Sequence, residues 1–293
     1  MWTRIVVKVS PEAAAGVADI LLGFARGLEQ RTRDSEVRLI AYMTADQDLS
    51  RALERIRERL EALRAAGLHV GKGSITARRI RSQPWEQQWK AGLGVVKVPP
   101  RLAIKPTWKD YVPAPDEVVV ELDPGMAFGT GHHATTRGCL AALARIVRSG
   151  AIVFDIGAGS GILSIAAAKL GARRVVAVEV DESAARVARD NVFLNRVAGA
   201  VSVVCGSGLR CLRGRADVIV ANLTAEQIAA LAPQAAGSLR PGGMFVTAGI
   251  TAGRAADVVA AATEAGMTVR EREEQEEWVT ITLEVGTNAP AVR

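Results

Sequence analysis

The sequence has little of several residue types that would define a class of protein. Among 293 residues there are three histidines and three cysteines, and Cys139, Cys205 and Cys211 show no C-x-x-C spacing. No apolar run is long enough to span a membrane, and the first residues, MWTRIVVKVSPE, lack the long apolar segment of a signal peptide. These absences predict no metal site and no membrane partner, with free thiols in a reducing cytoplasm.

Charge is spread along the chain rather than gathered in blocks. Lys and Arg number 37 and Asp and Glu 31, which gives a net charge of +6. Arginines and glutamates alternate over residues 54–64, a pattern typical of a solvated helix face. Because the positive charges are scattered, we do not expect a nucleic acid as the direct substrate.

The strongest signal lies between residues 151 and 181. An apolar run over 152–156 predicts a buried strand, and glycines at 157, 159 and 161 follow it. A helical pattern over 162–170 and a second apolar run, which carries Glu179, complete the unit. Such a strand, glycine loop, helix and strand places the acid to accept hydrogen bonds from two ribose hydroxyls.

The details of the glycine loop favour one ligand. A dinucleotide loop reads G-x-G-x-x-G, but here the third glycine comes one residue early and Ile162 stands where glycine is expected. Asp155, just before the loop, would repel a phosphate and could hold a cationic amino group. We therefore predict S-adenosylmethionine as the cofactor, bound by Asp155, Gly157, Gly159 and Glu179. The alternative is a glycine turn in an α/β fold that binds no nucleotide.

The remaining patterns divide the chain into four parts. Residues 1–80 read β-α-β-β-α-β, which predicts a small ferredoxin-like α+β domain. Residues 81–115 are rich in Trp and Pro and predict a connector partly packed on a domain. Residues 116–287 alternate strands and helices and end in a strand pair, which predicts a Rossmann-like α/β catalytic domain. Residues 288–293 are a tail.

A segment dense in glycine and hydroxyls precedes a predicted helix over residues 137–147. This segment, 128–136, predicts a mobile loop that closes over the cofactor. Two adjacent histidines, His132 and His133, lie in it, but neighbouring side chains do not converge easily on one ion. The segment therefore does not predict a metal site.

Six stretches carry a closer resemblance. They are PWEQQWK, LAIKPTWKDY, LDPGMAFGTGHHATTRGCL, DIGAGSGILSIAAAKLGA, VIVANLTA and EEWVTITL. Together they resemble the PrmA family, which methylates protein eleven of the large ribosomal subunit. The resemblance implies a seven-stranded class I methyltransferase sheet and cofactor contacts at Thr136, Gly157, Glu179 and Asn222. His132 stands where the family usually has Thr, and Ala134 where it usually has Pro.

The resemblance also implies a function. It implies an S-adenosylmethionine-dependent methyltransferase acting on lysine or N-terminal amines of that ribosomal protein. We expect Asn222 to be the catalytic residue, which orients the amine. We expect a cytoplasmic monomer whose residues 1–80 recognise the substrate. Three alternatives stay open: another protein-lysine methyltransferase, an RNA methyltransferase, and a non-catalytic module that binds the ribosome.

Overall fold

The computed structural model describes residues 2–22, 24–25, 28–33, 36–44, 47–80, 93–124, 127 and 129–287. The chain divides into two compact units, residues 1–92 and 93–293. Trp85 and Trp89 of the predicted connector and the predicted tail lie outside the described residues. Within the described part, no helix is long and apolar enough to cross a bilayer.

The first unit is a four-stranded antiparallel sheet with two helices. In chain order its elements are β1 (Trp2–Val9), α1 (Pro11–Leu22), β2 (Leu28–Arg33), β3 (Glu36–Thr44), α2 (Leu49–Ala65) and β4 (Ser74–Ile80). The strands lie in the order β2-β3-β1-β4. Alternate residues such as Ile5, Val7 and Leu39 are fully buried, because side chains of a strand point alternately to its two faces.

The second unit holds the longer, alternating part of the chain. Its elements are β5 (Val96–Val98), β6 (Leu102–Pro106), β7 (Val118–Leu122), α3 (Ala134–Ile146), β8 (Ile152–Ile156), α4 (Ile162–Lys169), β9 (Arg174–Glu179), α5 (Glu182–Leu194), β10 (Val201–Cys205), β11 (Ala216–Asn222), α6 (Ala225–Ser238), β12 (Leu239–Thr251), a 3₁₀ helix (Ala252–Arg254), α7 (Ala255–Glu264), β13 (Met267–Gln275) and β14 (Trp278–Val285).

Seven of these strands form one sheet in the order β10-β9-β8-β11-β12-β14-β13. β14 is antiparallel to both its neighbours, and the other adjacent pairs are parallel. Helices α3, α4 and α5 share a core with one face, and α6 and α7 with the other. The predicted α/β methyltransferase sheet is confirmed. The chain order reverses between β8 and β11, which is where open α/β sheets bind ligands at their carboxyl ends.

A second, three-stranded sheet, β5-β6-β7, was not predicted. Its first two strands fall in residues 93–115, which we assigned to the connector and which lie in the second unit. Leu102 and Ile104 of β6 are almost fully buried. The prolines at 99, 100 and 106 each lie at a strand end or in the turn between strands, where a missing N–H breaks no ladder.

Two asparagines, Asn191 in α5 and Asn195 at its C-cap, close the free edge of β7. The Asn195 side chain accepts from Glu121 N (2.9 Å) and donates to Glu121 O (2.6 Å). One turn earlier, Asn191 pairs in the same way with Asp123, at 3.0 Å for both bonds. A side-chain amide has the donor and acceptor of a peptide group, so the helix takes the place of a neighbouring strand.

One predicted boundary is wrong. Helix α3 begins at Ala134, three residues before the predicted Arg137. The reason is His133, which caps the helix: its Nδ1 accepts from Thr135 N (3.4 Å) and lies 2.8 Å from the Thr135 hydroxyl. Thr136 is consequently a buried residue of the first helical turn rather than part of a loop.

Candidate active site

The glycine loop lies at the carboxyl end of β8. Gly157 and Ala158 both donate to the carbonyl of Val178 on β9, at 2.9 and 3.1 Å. Gly157 has a φ of 77°, and a Cβ there would lie 2.6 Å from the side chain of Leu223. Only glycine combines that backbone conformation with that space. The loop is therefore bound closely to β9.

Glu179, the last residue of β9, joins the loop to the next helix. Its Oε2 accepts from Gly159 N (2.8 Å) and its Oε1 from Asp181 N (3.0 Å). A carboxylate has about four acceptor positions, two on each oxygen. Each oxygen of Glu179 therefore keeps an acceptor position for one further donor, and the pair suits two adjacent hydroxyls. The structure brings the predicted residues Gly159 and Glu179 into direct contact.

Asp155 on β8 is fully buried. Its Oδ2 accepts from the Ser164 hydroxyl (2.6 Å), while its Oδ1 has no partner among the described residues. Burial, opposed by the Ser164 hydrogen bonds and assisted by the nearby charge of Glu179, raises the pKa of Asp155 to about 6. An unpaired buried carboxylate oxygen is costly, and a cationic donor would relieve that cost.

The third part of the site is the end of β11. Asn222 Nδ2 donates to the hydroxyl of Thr136 (3.4 Å), so these two predicted residues also meet. A Cβ on Gly249, which has a φ of 89°, would lie 2.2 Å from the Leu223 carbonyl. Glycine at 249 thus lets β12 approach closely enough to fix Asn222 beside α3.

Hydrogen bonds attach the segment before α3 to the glycine loop. The Ser160 hydroxyl donates to Gly129 O (2.6 Å), and Asn191 Nδ2 donates to Ser160 O (2.9 Å). His132 Nε2 accepts from Gly94 N (3.2 Å), and the His133 ring lies edge-on to Trp278 at 5.1 Å. His132 and His133 thus connect the segment before α3 to other parts of the second unit. The motion predicted for residues 128–136 stays a prediction.

One exposed apolar residue at the site was not selected from the sequence. Val180 follows Glu179 and is 72% exposed, although it ends an apolar run. An apolar side chain held in solvent beside a candidate ribose acceptor suits contact with a flat heteroaromatic base. The sequence did contain a signal for Val180, since the apolar run of β9 continues one residue past Glu179.

Comparison with known proteins assigns the family. The model of the family described as Ribosomal protein L11 methyltransferase (PrmA) matches residues 2–285. The chain belongs to this family. A ribosomal protein L11 methyltransferase of Pelotomaculum thermopropionicum is 40% identical, over 96% of this chain and 97% of that one. The one of Caldanaerobacter subterraneus subsp. tengcongensis is 37% identical, over 96% and 98%.

A solved structure is also similar. The crystal structure of a ribosomal protein L11 methylase from Lactobacillus delbrueckii subsp. bulgaricus has a TM-score of 0.63 and 32% identity, and the match covers 66% of this chain and all of that one. Membership of the PrmA family confirms S-adenosylmethionine as the cofactor. The site fits it on two observations: the unpaired, buried Oδ1 of Asp155 suits a cationic amino group, and Glu179 keeps two acceptor positions.

The buried acid gives a testable pH dependence. The pKa of Asp155 in the folded state, about 6, lies above its ordinary value of 3.8, so the folded state binds the Asp155 proton more tightly than the unfolded state does. This tighter proton binding stabilises the fold at low pH, and the stabilisation is lost as the pH rises through 6. Asp155→Asn removes the titration. Without cofactor, we expect the wild-type free energy of unfolding, relative to the variant, to fall by on the order of 1 kcal/mol between about pH 5 and about pH 7.5. Urea denaturation at both pH values measures this, and a pH-independent difference would contradict it.

Proposed function

We propose that this chain transfers methyl groups from S-adenosylmethionine to lysine or N-terminal amines of ribosomal protein L11. One observation carries the proposal: the glycine loop, the two acids and the Thr136–Asn222 pair lie at the carboxyl edge of the sheet, where the chain order reverses between β8 and β11. The relatives from P. thermopropionicum and C. subterraneus bear the name ribosomal protein L11 methyltransferase.

We assign the cofactor contacts to six residues: Thr136, Asp155, Gly157, Gly159, Glu179 and Asn222. Glu179 accepts from the ribose hydroxyls through the acceptor positions that Gly159 and Asp181 leave unused. The unpaired Oδ1 of Asp155 accepts from the amino group. The side chain of Thr136 lies beside Asn222, at the carboxyl edge of the sheet.

The bound cofactor supplies a methyl group already activated on a sulfonium centre. The protein must present an amine lone pair to it, yet a lysine amine has a pKa near 10.4, so only roughly one in 2,500 is neutral at pH 7. We propose that Asn222 orients the neutral amine. Its Nδ2 is directed at Thr136 Oγ1, which leaves Oδ1 to accept from an amine N–H. An amide is not a base, so Asn222 acts by orientation.

We further propose that the first unit is ferredoxin-like and recognises the protein substrate. Its element order is β-α-β-β-α-β, and its antiparallel sheet has the order β2-β3-β1-β4. All the residues assigned to chemistry follow residue 93. A cytoplasmic location follows from a ribosomal substrate, and nucleic acid is not proposed as the methyl acceptor. We also propose a monomer, because the described residues expose few large apolar side chains.

The ribose acceptor can be tested alone. Glu179→Ala should weaken the binding of S-adenosylhomocysteine by about 1.5–3 kcal/mol, the loss typical of hydrogen bonds to a charged group. Isothermal calorimetry measures the affinity. Glu182→Ala, on the exposed first turn of α5, is the matched control and should bind as the wild type does. Unchanged affinity in Glu179→Ala would remove Glu179 from the site.

Methyl transfer tests the function itself. With tritiated cofactor and a mixture of purified L11, other ribosomal proteins and ribosomal RNA, we expect the full chain to label L11. Asn222→Ala should lower the rate constant by about tenfold or more at saturating substrates, since orientation of the amine is lost. Glu226→Ala, on the exposed first turn of α6, should not. Label found only in RNA, or only in another protein, would contradict L11 as the methyl acceptor. An unchanged rate constant in Asn222→Ala would show that Asn222 has only a structural role.

The role of the first unit needs a shortened chain. Cutting at the predicted domain start, residue 116, would remove β5 and β6 and leave β7 without its neighbour. A chain that begins at Leu93 keeps this sheet. We expect it to bind S-adenosylhomocysteine with near-native affinity, which shows that it folds, and to lose methylation of L11. Methylation as fast as that of the full chain would show that the first unit does not recognise the substrate.

A further inference from the structure

The edge of the seven-stranded sheet opposite the candidate active site is where its five parallel strands begin. The segments that enter these strands are neighbours, as four hydrogen bonds show: Gly150 N to Gly171 O (2.9 Å), Arg173 N to Ala151 O (2.8 Å), Val175 N to Ala200 O (2.8 Å) and Ile152 N to Asp217 Oδ2 (2.7 Å). At about 4.8 Å per strand, this amino-terminal edge is roughly 20 Å long.

Arginine is concentrated at this edge. The entering segments 147–151, 170–174, 195–200, 212–217 and 239–243 carry Arg148, Arg173, Arg174, Arg196, Arg213, Arg215 and Arg240. Asp217 is their only acidic residue. The opposite edge, by contrast, carries the acids Asp155, Glu179 and Asp181 and, in the segments that leave the strands, two arginines, Arg210 and Arg254. A general excess of arginine does not explain this polarity, because it would raise the positive charge at both edges.

Most of these arginines have no acidic partner. Arg240 pairs with Asp217 at 2.6 Å. Arg148, Arg173 and Arg174 are exposed and form no ion pair with any described residue. The same holds for Arg196 and Arg213. A row of unpaired like charges repels itself and attracts an anion, so the edge is built for a polyanionic partner rather than for internal pairing.

A cavity opens into the same edge. Its volume is about 400 Å³. The residues that line it include three arginines, Arg145, Arg148 and Arg240, together with Ser149, Gly150 and Asp217. Arg145 is held by Glu271 and Glu273, at 3.0 and 2.9 Å, so its guanidinium is fixed in position. Arg145 and Arg240 are paired with carboxylates, so Arg148 is the lining arginine whose planar fork is free of an acidic partner among the described residues and can bind phosphate oxygens in pairs. The cavity is large enough to admit a phosphate group.

An exposed aromatic residue lies close in the chain to one of the arginines, Arg196. Phe193, in the last turn of α5, is 80% exposed, and its carbonyl accepts from Arg196 N (2.9 Å). Arg189 lies four residues before it, on the same face of the helix. An aromatic ring between cations suits an unpaired nucleobase, which stacks on the ring while phosphates contact the cations.

We propose that this edge binds single-stranded RNA, with backbone phosphates on the arginines and a base on Phe193. The cavity favours RNA over a lipid surface. A flexible single strand can place one of its phosphates inside the cavity, whereas the headgroups of a flat bilayer contact only the residues around the cavity mouth. The catalytic edge then faces away from the RNA and stays open to its methyl acceptor. The proposal does not depend on which amine is methylated.

The test compares two triple variants of the full chain. Fluorescence anisotropy of a labelled oligouridylate of about 20 nucleotides gives the affinity between about 50 and 300 mM KCl. Arg148→Gln, Arg173→Gln and Arg174→Gln together should weaken binding by about tenfold or more at roughly 100 mM KCl. The slope of log affinity against log salt should shrink by about 2, at roughly 0.7 per phosphate contact.

The control variant carries Arg51→Gln, Arg55→Gln and Arg57→Gln on α2, which removes the same charge from the other unit. Its RNA affinity should stay within about twofold of the wild type. Phe193→Ala should weaken binding of the oligouridylate by about fivefold or more but leave binding of an RNA duplex unchanged, because a duplex offers no free base. All variants should keep their affinity for S-adenosylhomocysteine.

Three results would overturn the proposal. The first is no binding of the oligouridylate by the wild type at about 50 mM KCl. The second is an equal loss in both triple variants, which would reflect net charge alone. The third is an edge variant that keeps its RNA affinity but loses binding to phosphatidylglycerol vesicles, which would assign the edge to a membrane surface. None of these results bears on methylation of L11.

Discussion

The carboxylate of Glu179 is the point at which the glycine loop, the end of β9 and the start of α5 are joined. Its oxygens accept from the backbone N–H groups of Gly159 and Asp181, and the side chain is only 9% exposed. A buried charge needs such partners, and the loop needs the charge to hold its open turn. We propose that the ribose hydroxyls donate to these same two oxygens. Under that proposal, cofactor binding and the local structure of the loop depend on one carboxylate.

Near this junction, one buried polar group lacks a hydrogen-bond partner among the residues that the structure describes. Asp155 is fully buried; one of its carboxylate oxygens accepts from the Ser164 hydroxyl and the other is the unpartnered atom. Other buried polar side chains of the second unit have hydrogen-bond partners. Asn191 and Asn195, for example, accept from backbone N–H groups at β7. An exception of this kind in an otherwise consistent interior is expected at a functional site, where a ligand supplies the missing partner.

The sequence predicted the parts whose signals are local. A glycine loop, an acid at a fixed distance and continuous apolar runs identified the cofactor and the parallel sheet. It did not predict β5 and β6, because short strands between prolines carry a weak pattern. It did not predict the role of Asn191 and Asn195 either, because asparagine is mostly found exposed. The arginine-rich edge was missed for a different reason. Its residues are far apart in the chain and become neighbours only because parallel strands begin at one edge.

A crystal structure of the full chain with S-adenosylhomocysteine tests the central claim most directly. We expect both ribose hydroxyls within about 2.5–3.2 Å of the Glu179 oxygens, with the bond from Gly159 N retained. We also expect the amino group on Asp155 Oδ1. A complex in which Glu179 turns away from the ribose, or in which the Gly159 bond breaks on binding, would show that this carboxylate does not unite loop structure with cofactor recognition.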